Sequence, residues 1–283
     1  MIFKSFDELL SFRNSYTGNL SKLDINELLK LPGFSGVFHL NFQNKEFDYI
    51  NIGNDDGGIL KFFWQGEPEI ISMKLWCSVL DEHHFALDIG ANTGRYSVIG
   101  GKFGGDIIAF EPYIINYCRL IDNLKINNLN YKNTLMIGLS NTNSEGFLKI
   151  KSPLYYKSAG GKISNTGNKI KLAKLDDIKF NKPINIMKID VEGHENQVID
   201  GALGIIDKFR PNMIIEYNKD NFMHITNLLT NKFKYNYFLI DDKNRKILED
   251  KNIISLKNFE GNIMFYQDKN VNLNFQEVKS NYV

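Results

Sequence analysis

The chain has 283 residues, of which 43% are hydrophobic and 24% charged, and its formal net charge at pH 7 is +1. This composition is typical of a globular protein with a sizeable core, and the near-neutral charge gives no general attraction to nucleic acid or to an acidic membrane. No apolar run is long enough for a transmembrane segment, and the first residues do not form a signal peptide. Cys77 and Cys118 give neither a disulfide framework nor a metal-binding spacing, so a reducing cytoplasm is the expected location.

Residues 1–80 are expected to form an α/β extension with a role in substrate binding or interaction, including homo-oligomerisation. Apolar spacing predicts helices over Phe6–Phe12, Ile25–Leu29 and Glu67–Val79. Alternation over Phe38–Ile52 predicts strands.

Both tryptophans of the chain, Trp64 and Trp76, lie in this extension. One interpretation is that they pack the extension onto the following domain. The alternative is that one of them forms an apolar platform for a sugar or another substrate.

The stretch from Phe85 to Gly94 organises the rest of the chain. The apolar run Phe85–Leu87 ends on Asp88, and the glycines Gly90 and Gly94 follow, which predicts a buried strand, a tight turn and a helix. The glycines leave the backbone open to a ligand, and Asp88 is expected to face the crevice at the carboxyl end of the strand. Its negative charge suits a cationic sulfonium or ammonium ligand and repels a diphosphate. The glycine spacing also differs from the dinucleotide fingerprint, which argues against a nicotinamide oxidoreductase.

A second acid strengthens this interpretation. The apolar run Asp106–Phe110 ends on Glu111, 21 residues after Gly90. A carboxylate in this place accepts both ribose hydroxyls of a nucleoside in related sheets. Asp88 and Glu111 together predict an adenosine-type cofactor, S-adenosylmethionine.

Strands and helices alternate from residue 81 to residue 283, the predicted methyltransferase domain. The alternation predicts a Rossmann-like α/β fold with a seven-stranded, mostly parallel sheet whose last strand is antiparallel, the plan of a class I methyltransferase. Four strand ends carry acids, and right-handed crossovers place them along one edge of the sheet: Asp88, Glu111, Asp190 and Glu216. After the first two strands, the predicted strands are Asn133–Ile137, Asn185–Asp190, Asn212–Glu216, Tyr235–Ile240 and Gly261–Tyr266.

The segment Lys188–Glu195 concentrates titratable residues where an acceptor would approach the cofactor. Methyl transfer to a hydroxyl requires positioning and a proton acceptor, and His194 is the leading candidate for the general base, with Asp190 and Glu192 as further catalytic candidates. Alternatively, His194 caps the following helix, and Glu192 is an acid favoured by the helix dipole.

A divalent cation is a further hypothesis. Asp190 and Glu216 end neighbouring predicted strands, and Asn218 follows two residues later. Two carboxylates and an amide oxygen suit Mg²⁺ or Ca²⁺, which would orient vicinal hydroxyls of an acceptor. The alternative is that both acids line a polar pocket or pair with Lys188 or Arg210.

Residues 84–220 resemble the FkbM family of S-adenosylmethionine-dependent methyltransferases, which act mostly as O-methyltransferases of sugars and natural products. The resemblance is carried by Asp88–Ser97, Phe110-Glu111-Pro112, Lys188–Glu195 with Gly201-Ala202 behind it, and Pro211–Glu216. It implies a cofactor site formed by Asp88, Gly90, Asn92, Gly94, Tyr96, Glu111, Ser140 and Asp190. Ser140 would lie beside the adenine, where many methyltransferases have an acid instead.

These observations predict an O-methyltransferase that acts on a small molecule, namely a sugar, a glycan or a glycosylated metabolite. The alternative is a non-catalytic scaffold of the same fold that binds S-adenosylmethionine or adenosine. An intact polar loop at 190–195 favours the enzyme. Nucleic acid is not expected as a partner, because the chain has no clustered basic stripe and no base-stacking Asn-Pro-Pro-Tyr motif.

Overall fold

The computed structural model describes residues 2–53, 55–150, 161–249 and 259–282. In these ranges the helices are α1 (Phe6–Ser15), α2 (Ile25–Leu28), α3 (Gly57–Gln65), α4 (Ile70–Ser78), α5 (Arg95–Lys102), α6 (Ile114–Ile126), α7 (Glu195–Asp200), α8 (Leu203–Phe209), α9 (Lys219–Asn227) and α10 (Leu273–Ser280). The strands are β1 (Ile2–Phe3), β2 (Gly33–Phe34), β3 (Gly36–Phe42), β4 (Lys45–Asn51), β5 (Phe85–Ile89), β6 (Asp106–Phe110), β7 (Gly138–Leu139), β8 (Ser144–Lys149), β9 (Lys162–Ser164), β10 (Asn168–Ala173), β11 (Ile186–Ile189), β12 (Asn212–Glu216), β13 (Asn236–Asp241), β14 (Lys246–Leu248) and β15 (Asn262–Tyr266). None of the helices within these ranges has the length and apolarity needed to cross a membrane.

The central sheet has seven strands in the order β6-β5-β11-β12-β15-β13-β14. The first four of these are parallel, whereas β15 runs antiparallel to both of its neighbours, β12 and β13. Every residue of β5 and β11 is buried, because helices or loops cover both faces of the sheet. The predicted α/β class, the mostly parallel sheet and the antiparallel late strand are confirmed.

The third predicted strand is wrong as a member of this sheet. Of the predicted segment Asn133–Ile137, only Leu135 forms a bridge to the edge strand β6. Its backbone nitrogen donates to the carbonyl oxygen of Ala109 at 2.8 Å, and its carbonyl oxygen accepts from the backbone nitrogen of Glu111 at 3.1 Å. The chain then leaves the sheet, and β7 pairs with β10 in a separate four-stranded sheet. The seventh strand is instead β14, a short edge strand that the sequence pattern did not predict.

The sequence also predicts single helices over Glu195–Phe209, which Pro211 follows, and over Asp220–Lys232, and both are interrupted. The segment Glu195–Phe209 forms two helices, α7 and α8, with Gly201 between them. A Cβ atom on Gly201 would lie 2.0 Å from the carbonyl oxygen of Ser140, so the break coincides with a close approach of two chain segments. The segment Asp220–Lys232 begins as α9 and ends in a π-helical turn over Leu228–Lys232.

The segment Ser144–Leu175 alternates and is rich in Gly, Ser and Lys, which predicts a hairpin excursion and not a helix. It contains β8, β9 and β10, and residues 151–160 lie outside the described residues.

The N-terminal segment packs on one face of the central sheet. Its helices and the β3–β4 hairpin contribute Leu9, Phe38 and Phe63 to a core that also contains Ile186 and Ile214 of the sheet. A second core covers the opposite face of the sheet. Because one core joins the N-terminal segment and the sheet, the two are packed together, and a domain boundary at residue 80 stays a prediction.

Both tryptophans are buried in this shared core. Trp64 packs edge-on against Phe12 and Phe63. The indole nitrogen of Trp76 donates to the carbonyl oxygen of Tyr96 at 3.2 Å. The packing interpretation is therefore confirmed, and the sugar-platform alternative is wrong.

Asp242, directly after β13, caps the N-terminus of α4 although 170 residues separate them in the chain. Its Oδ1 accepts from the backbone nitrogens of Ile71 and Ser72 at 2.6 and 3.2 Å, and its Oδ2 accepts from the Ser72 hydroxyl at 2.6 Å. The local N-cap residue, Glu69, makes no capping hydrogen bond with its side chain. The start of α4 is thus fixed by a residue of the sheet.

We expect Asp242→Ala to lower the free energy of unfolding by about 2–4 kcal/mol, because it leaves two buried backbone donors and a buried hydroxyl without an acceptor. Urea titration measures this change. Asp241→Ala is the matched control, since Asp241 accepts from Asn244 in an exposed turn, and its loss should cost less than about 1 kcal/mol. Equal losses in the two variants would contradict the long-range cap.

Candidate functional site

A cleft of about 1050 Å³ opens at the carboxyl ends of β5, β6, β11 and β12. Its volume is at the upper end of the range common for small-molecule sites. Residues of the N-terminal segment form the opposite wall, including Glu67 and Glu69. The four strand-end acids predicted to share one edge all line this cleft: Asp88, Glu111, Asp190 and Glu216.

The glycine turn after β5 forms the floor of the cleft. The backbone nitrogens of Gly90 and Ala91 both donate to the carbonyl oxygen of Phe110, at 2.9 and 3.0 Å, which ties the turn to β6. Gly90 has a φ of +81°, and a Cβ atom there would lie 1.8 Å from the carbonyl oxygen of Asp190. Gly90 is therefore required for the close approach of the ends of β5 and β11. A Cβ atom on Gly94 would lie 2.5 Å from the Leu120 side chain, so that glycine permits α6 to pack against the turn.

Glu111 is buried at the end of β6, and each of its carboxylate oxygens accepts one backbone hydrogen bond. Oε2 accepts from the nitrogen of Asn92 at 2.9 Å, and Oε1 accepts from the nitrogen of Tyr113 at 2.8 Å. Burial, reinforced by the charge of Asp88, raises the pKa of Glu111 to about 7 although these hydrogen bonds act against the rise. The side chain of Asn116 is a third donor to this carboxylate, which therefore keeps only part of its acceptor capacity for a ligand.

Asp88 is buried at the end of β5, and its Oδ2 accepts from the Ser97 hydroxyl at 2.6 Å. Burial raises the pKa of Asp88 to about 6, and the charge of Lys188 limits the rise. The carboxylate thus lies at the floor of the cleft, between the glycine turn and the first turn of α5.

Lys188 is a buried cation in the middle of β11, with a side chain that is only 1% exposed. Its Nζ donates to Asp190 Oδ2 at 3.0 Å and to Asn262 Oδ1 at 3.2 Å, and it lies 5.3 Å from the centre of the Tyr96 ring. Burial opposes the charge, but Asp190, Glu69 and Glu216 outweigh it and raise the pKa of Lys188. Asp190 therefore pairs with Lys188, which is one of the alternatives to a cation site that the sequence offered.

Tyr96 and Arg95, at the start of α5, connect the turn to the N-terminal wall. The Tyr96 hydroxyl donates to Glu69 Oε2 at 2.7 Å, and Arg95 pairs with Glu69 Oε1 at 2.7 Å and with Glu67 Oε1. Burial alone would raise the pKa of Glu69, but Arg95, Lys188 and Tyr96 outweigh burial and lower it to about 2. Tyr96 lines the cleft, while its hydroxyl is engaged with the protein.

His194 lines the cleft, and its Nε2 lies 2.9 Å from the hydroxyl oxygen of Ser140. It occupies the N-cap position of α7 but makes no capping hydrogen bond, so the capping alternative is wrong. Burial lowers the pKa of His194, which favours the neutral imidazole at neutral pH. Ser140 is itself buried, directed at His194, and does not belong to the described residues that line the cleft.

The loop between β11 and α7 is held by Glu195. Its Oε1 accepts from the backbone nitrogens of Val191 and Gly193 at 3.3 and 3.0 Å. Glu192 lines the cleft in a left-handed backbone conformation with a φ of +56°. Of the loop acids, Glu195 therefore shapes the loop, whereas Glu192 lines the cleft.

The divalent-cation hypothesis is not supported by the structure. Asn218 caps α9, because its Oδ1 accepts from the nitrogen of Asp220 at 3.0 Å, and Asp190 pairs with Lys188. Burial and the charge of Asp190 raise the pKa of Glu216 well above its ordinary value, which favours a neutral carboxyl. Within the described ranges, no group of three or more His, Cys, Asp or Glu residues is arranged to hold a metal ion.

The acidic wall opposite the sheet was not predicted from the sequence. Glu67, Glu69 and Asp242 line the cleft, although two of them precede the glycine turn by more than 20 residues. Their pattern, acids beside Pro68 before an apolar helix, is equally typical of an ordinary helix start. Nothing in the local sequence indicates that α5 carries Arg95 to these acids.

A family model described as the methyltransferase FkbM domain matches residues 88–239, more than half of the chain. The chain belongs to the FkbM methyltransferase family. The match begins at Asp88 and includes Glu111, Asp190 and His194. No match to this FkbM-family chain was found among curated proteins.

Several solved structures are similar to this FkbM-family protein. Methyltransferase FkbM from Methylobacillus flagellatus KT is 19% identical, with a TM-score of 0.47, and the alignment covers 74% of this chain and 53% of that one. A precorrin-6y C5,15-methyltransferase from Geobacter metallireducens is 14% identical, with a TM-score of 0.39 and coverage of 71% and 89%. TYW2 from M. jannaschii, solved in complex with AdoMet, is 14% identical, with a TM-score of 0.40 and coverage of 83% and 86%. The chain thus spans about half the length of the Methylobacillus protein.

Two glycine variants test the close approach at the floor of this FkbM-family site. Gly66 has a φ of +91° and a ψ of −179°, a region that essentially only glycine adopts, and no atom lies within 4 Å of an added Cβ, so Gly66→Ala should cost about 1–3 kcal/mol through backbone strain alone. Gly90→Ala adds a clash with Asp190 and should lower the free energy of unfolding by at least about 3 kcal/mol in urea titrations. Similar losses for both variants would show that the ends of β5 and β11 are not closely packed.

Proposed function

We propose that this FkbM-family protein is an S-adenosylmethionine-dependent O-methyltransferase that acts on a hydroxyl of a sugar, glycan or glycosylated metabolite. The observation that carries the proposal is that buried Glu111 and Asp88 flank a glycine turn in the same cleft as a neutral, half-buried His194. One cleft of the size of a ligand therefore holds Glu111 to bind the nucleoside, Asp88 at its floor and His194 as the candidate base. A cytoplasmic location and a homo-oligomer formed through the N-terminal segment belong to the proposal as well.

The residues present fit the methyl donor. Glu111 would accept the ribose hydroxyls with its remaining lone pairs, and Asp88 would face the cationic end. Asn92 Oδ1 is buried and has no hydrogen-bond partner among the described residues, which is the condition expected of a group awaiting a ligand donor. Gly90 and Gly94 shape the turn that the donor would contact. The hydroxyl of Ser140, in contrast, forms a hydrogen bond with His194.

His194 is suited to hold the proton released by the acceptor. The donor supplies a methyl group on a sulfonium sulfur, and the acceptor hydroxyl must lose a proton as the new C–O bond forms. When Ser140 accepts the Nε2 proton of His194, the lone pair of the neutral ring is on Nδ1, and this atom receives the acceptor proton. Ser140 thereby positions the ring and fixes its tautomer.

The acceptor end of the cleft is polar and acidic, which suits a polyhydroxylated ligand. Asp190 and Glu192 present carboxylates there, and the neutral form of Glu216 is both donor and acceptor. Such a mixture pairs well with vicinal hydroxyls. The non-catalytic scaffold remains the alternative function, and it requires donor binding without methyl transfer.

Glu111 is tested by binding of S-adenosylhomocysteine. We expect Glu111→Gln to weaken binding about ten- to a hundredfold, because a neutral amide is a poorer acceptor for the ribose hydroxyls and also disturbs two backbone hydrogen bonds. Isothermal titration calorimetry measures the affinity.

The pH dependence follows from the raised pKa of Glu111, about 7, since binding requires the ionised carboxylate. The affinity of the wild type should therefore rise from pH 6 to pH 8, and Glu111→Gln should show a shallower rise. Identical pH profiles would remove Glu111 from the ribose site.

His194 is tested by methyl transfer to an acceptor found by screening sugars and glycosides. We expect His194→Ala to lower kcat about a hundredfold or more, with little effect on binding of S-adenosylhomocysteine. Because burial lowers the pKa of His194, the kcat of the wild type should fall only when the pH drops below 6.5, the ordinary pKa of a histidine. Ser140→Ala should give a smaller loss, as expected of a positioning residue. Unchanged turnover in His194→Ala would make a cleft carboxylate the base, and donor binding without any transfer would favour the scaffold.

A further inference from the structure

Glu67 is a buried carboxylate of the N-terminal wall that lines the cleft. Its side chain is 1% exposed. Its Oε1 accepts from the backbone nitrogen of Glu69 at 2.9 Å and pairs with Arg95. Its Oε2 is buried and has no hydrogen-bond partner among the described residues. One oxygen of this carboxylate is therefore fully used, and the other lacks a donor.

A buried carboxylate oxygen without a donor is unfavourable, because it has lost water and gained nothing in exchange. Burial accordingly raises the pKa of Glu67 to about 7, although Arg95 acts against the rise. A donor from a ligand in the cleft would remove this penalty. The arrangement is that of a binding position that is completed by its ligand.

The local charge indicates which kind of donor is missing. Arg95 and Lys188 are two cations that lie beside this wall, and more than two carboxylates interact with them. A neutral hydroxyl would satisfy the geometry of Glu67 but not this excess negative charge. A cationic N–H donor satisfies both, through a charge-assisted hydrogen bond. The interacting carboxylates are those of Asp56, Glu67, Glu69, Asp88 and Asp190, whereas Glu216 also interacts with Lys188 but has a raised pKa that favours its neutral form.

The position of Glu67 indicates which part of a ligand it meets. Glu111 holds one side of the glycine turn through the nitrogen of Asn92. Glu67 holds the other side through Arg95, the first residue of α5. A nucleoside with its ribose at Glu111 therefore directs its 5′ substituent across the turn, toward the acidic wall that contains Glu67.

We propose that Glu67 binds the α-ammonium group of the amino-acid part of the methyl donor through its Oε2. This inference rests on the proposed function, since it assumes that the donor is S-adenosylmethionine. Arg95 then acts as a positioning residue that fixes the carboxylate through Oε1. The N-terminal segment thereby completes the donor site that the family motifs of the sheet begin.

The test compares two ligands that differ in the amino-acid part. S-adenosylhomocysteine carries the α-ammonium group, whereas 5′-methylthioadenosine keeps the adenosine and lacks the whole amino-acid part. We expect Glu67→Gln in the full-length protein to weaken binding of S-adenosylhomocysteine about ten- to a hundredfold and to change binding of 5′-methylthioadenosine less than about twofold. Calorimetric titration measures both, and thermal melts confirm that the variant is folded.

Glu69→Gln is the matched control, because both oxygens of Glu69 already have partners in Arg95 and Tyr96. This variant should not distinguish the two ligands. The inference is overturned if Glu67→Gln weakens both ligands by the same factor, if it leaves S-adenosylhomocysteine unaffected, or if Glu69→Gln produces the same selective loss. Failure of the wild type to bind S-adenosylhomocysteine would instead overturn the proposed function and this inference with it.

Discussion

The structure depends on the accommodation of one buried cation, Lys188, in an interior strand of the sheet. A lysine that loses its hydration in a protein interior is strongly destabilising unless charged or polar partners replace the water. Here the partners come from different parts of the chain: Asp190 from the same strand end, Asn262 from β15, and the Tyr96 ring from α5. The ammonium group therefore requires that β11, β15 and α5 all be in place.

The same network continues into the N-terminal segment. Asn262 donates to the Ser72 hydroxyl at 3.0 Å, and Ser72 in turn donates to Asp242. The hydrogen bonds thus form a chain from the middle of the sheet to the first turn of α4. Because each member is buried, loss of any one leaves a neighbour without a partner, which makes the packing of α4 on the sheet specific and not merely apolar.

One face of the sheet carries both the shared core and the site. Side chains two residues apart in a strand point to the same face, and three of the four strand-end acids follow a core residue at this spacing. Ala86 precedes Asp88, Ala109 precedes Glu111, and Ile214 precedes Glu216 in this way. The N-terminal segment covers the apolar part of this face and stops short of the polar ends, and the space that is left is the cleft. Burial in that space raises the pKa values of Asp88 and Glu111 toward neutral pH and lowers that of His194, which favours its neutral imidazole.

The sequence by itself determined the elements whose signals are local. Continuous apolar runs that end on acids identified β5, β6, β11 and β12, because strands buried on both faces need apolar residues at every position. The positions of Gly90 and Gly94 predicted the turn and the helix after it equally well. The alternation of strands and helices then placed the four acids at one edge, since the carboxyl ends of parallel strands meet there.

Only the tertiary structure decided the features that depend on distant contacts. Leu135 makes a single bridge because the chain turns away to pair with β10, and no local pattern encodes that partner. The role of Gly90 lies in its distance from Asp190, a hundred residues later in the chain. Asn218 is a residue type that can bind a metal ion, but its amide oxygen caps α9. Glu67 resembled an ordinary helix-start acid until the fold placed it beside Arg95 and left one of its oxygens without a donor. In each case the residue type was visible in the sequence, whereas its function depends on which distant group the fold brings to it.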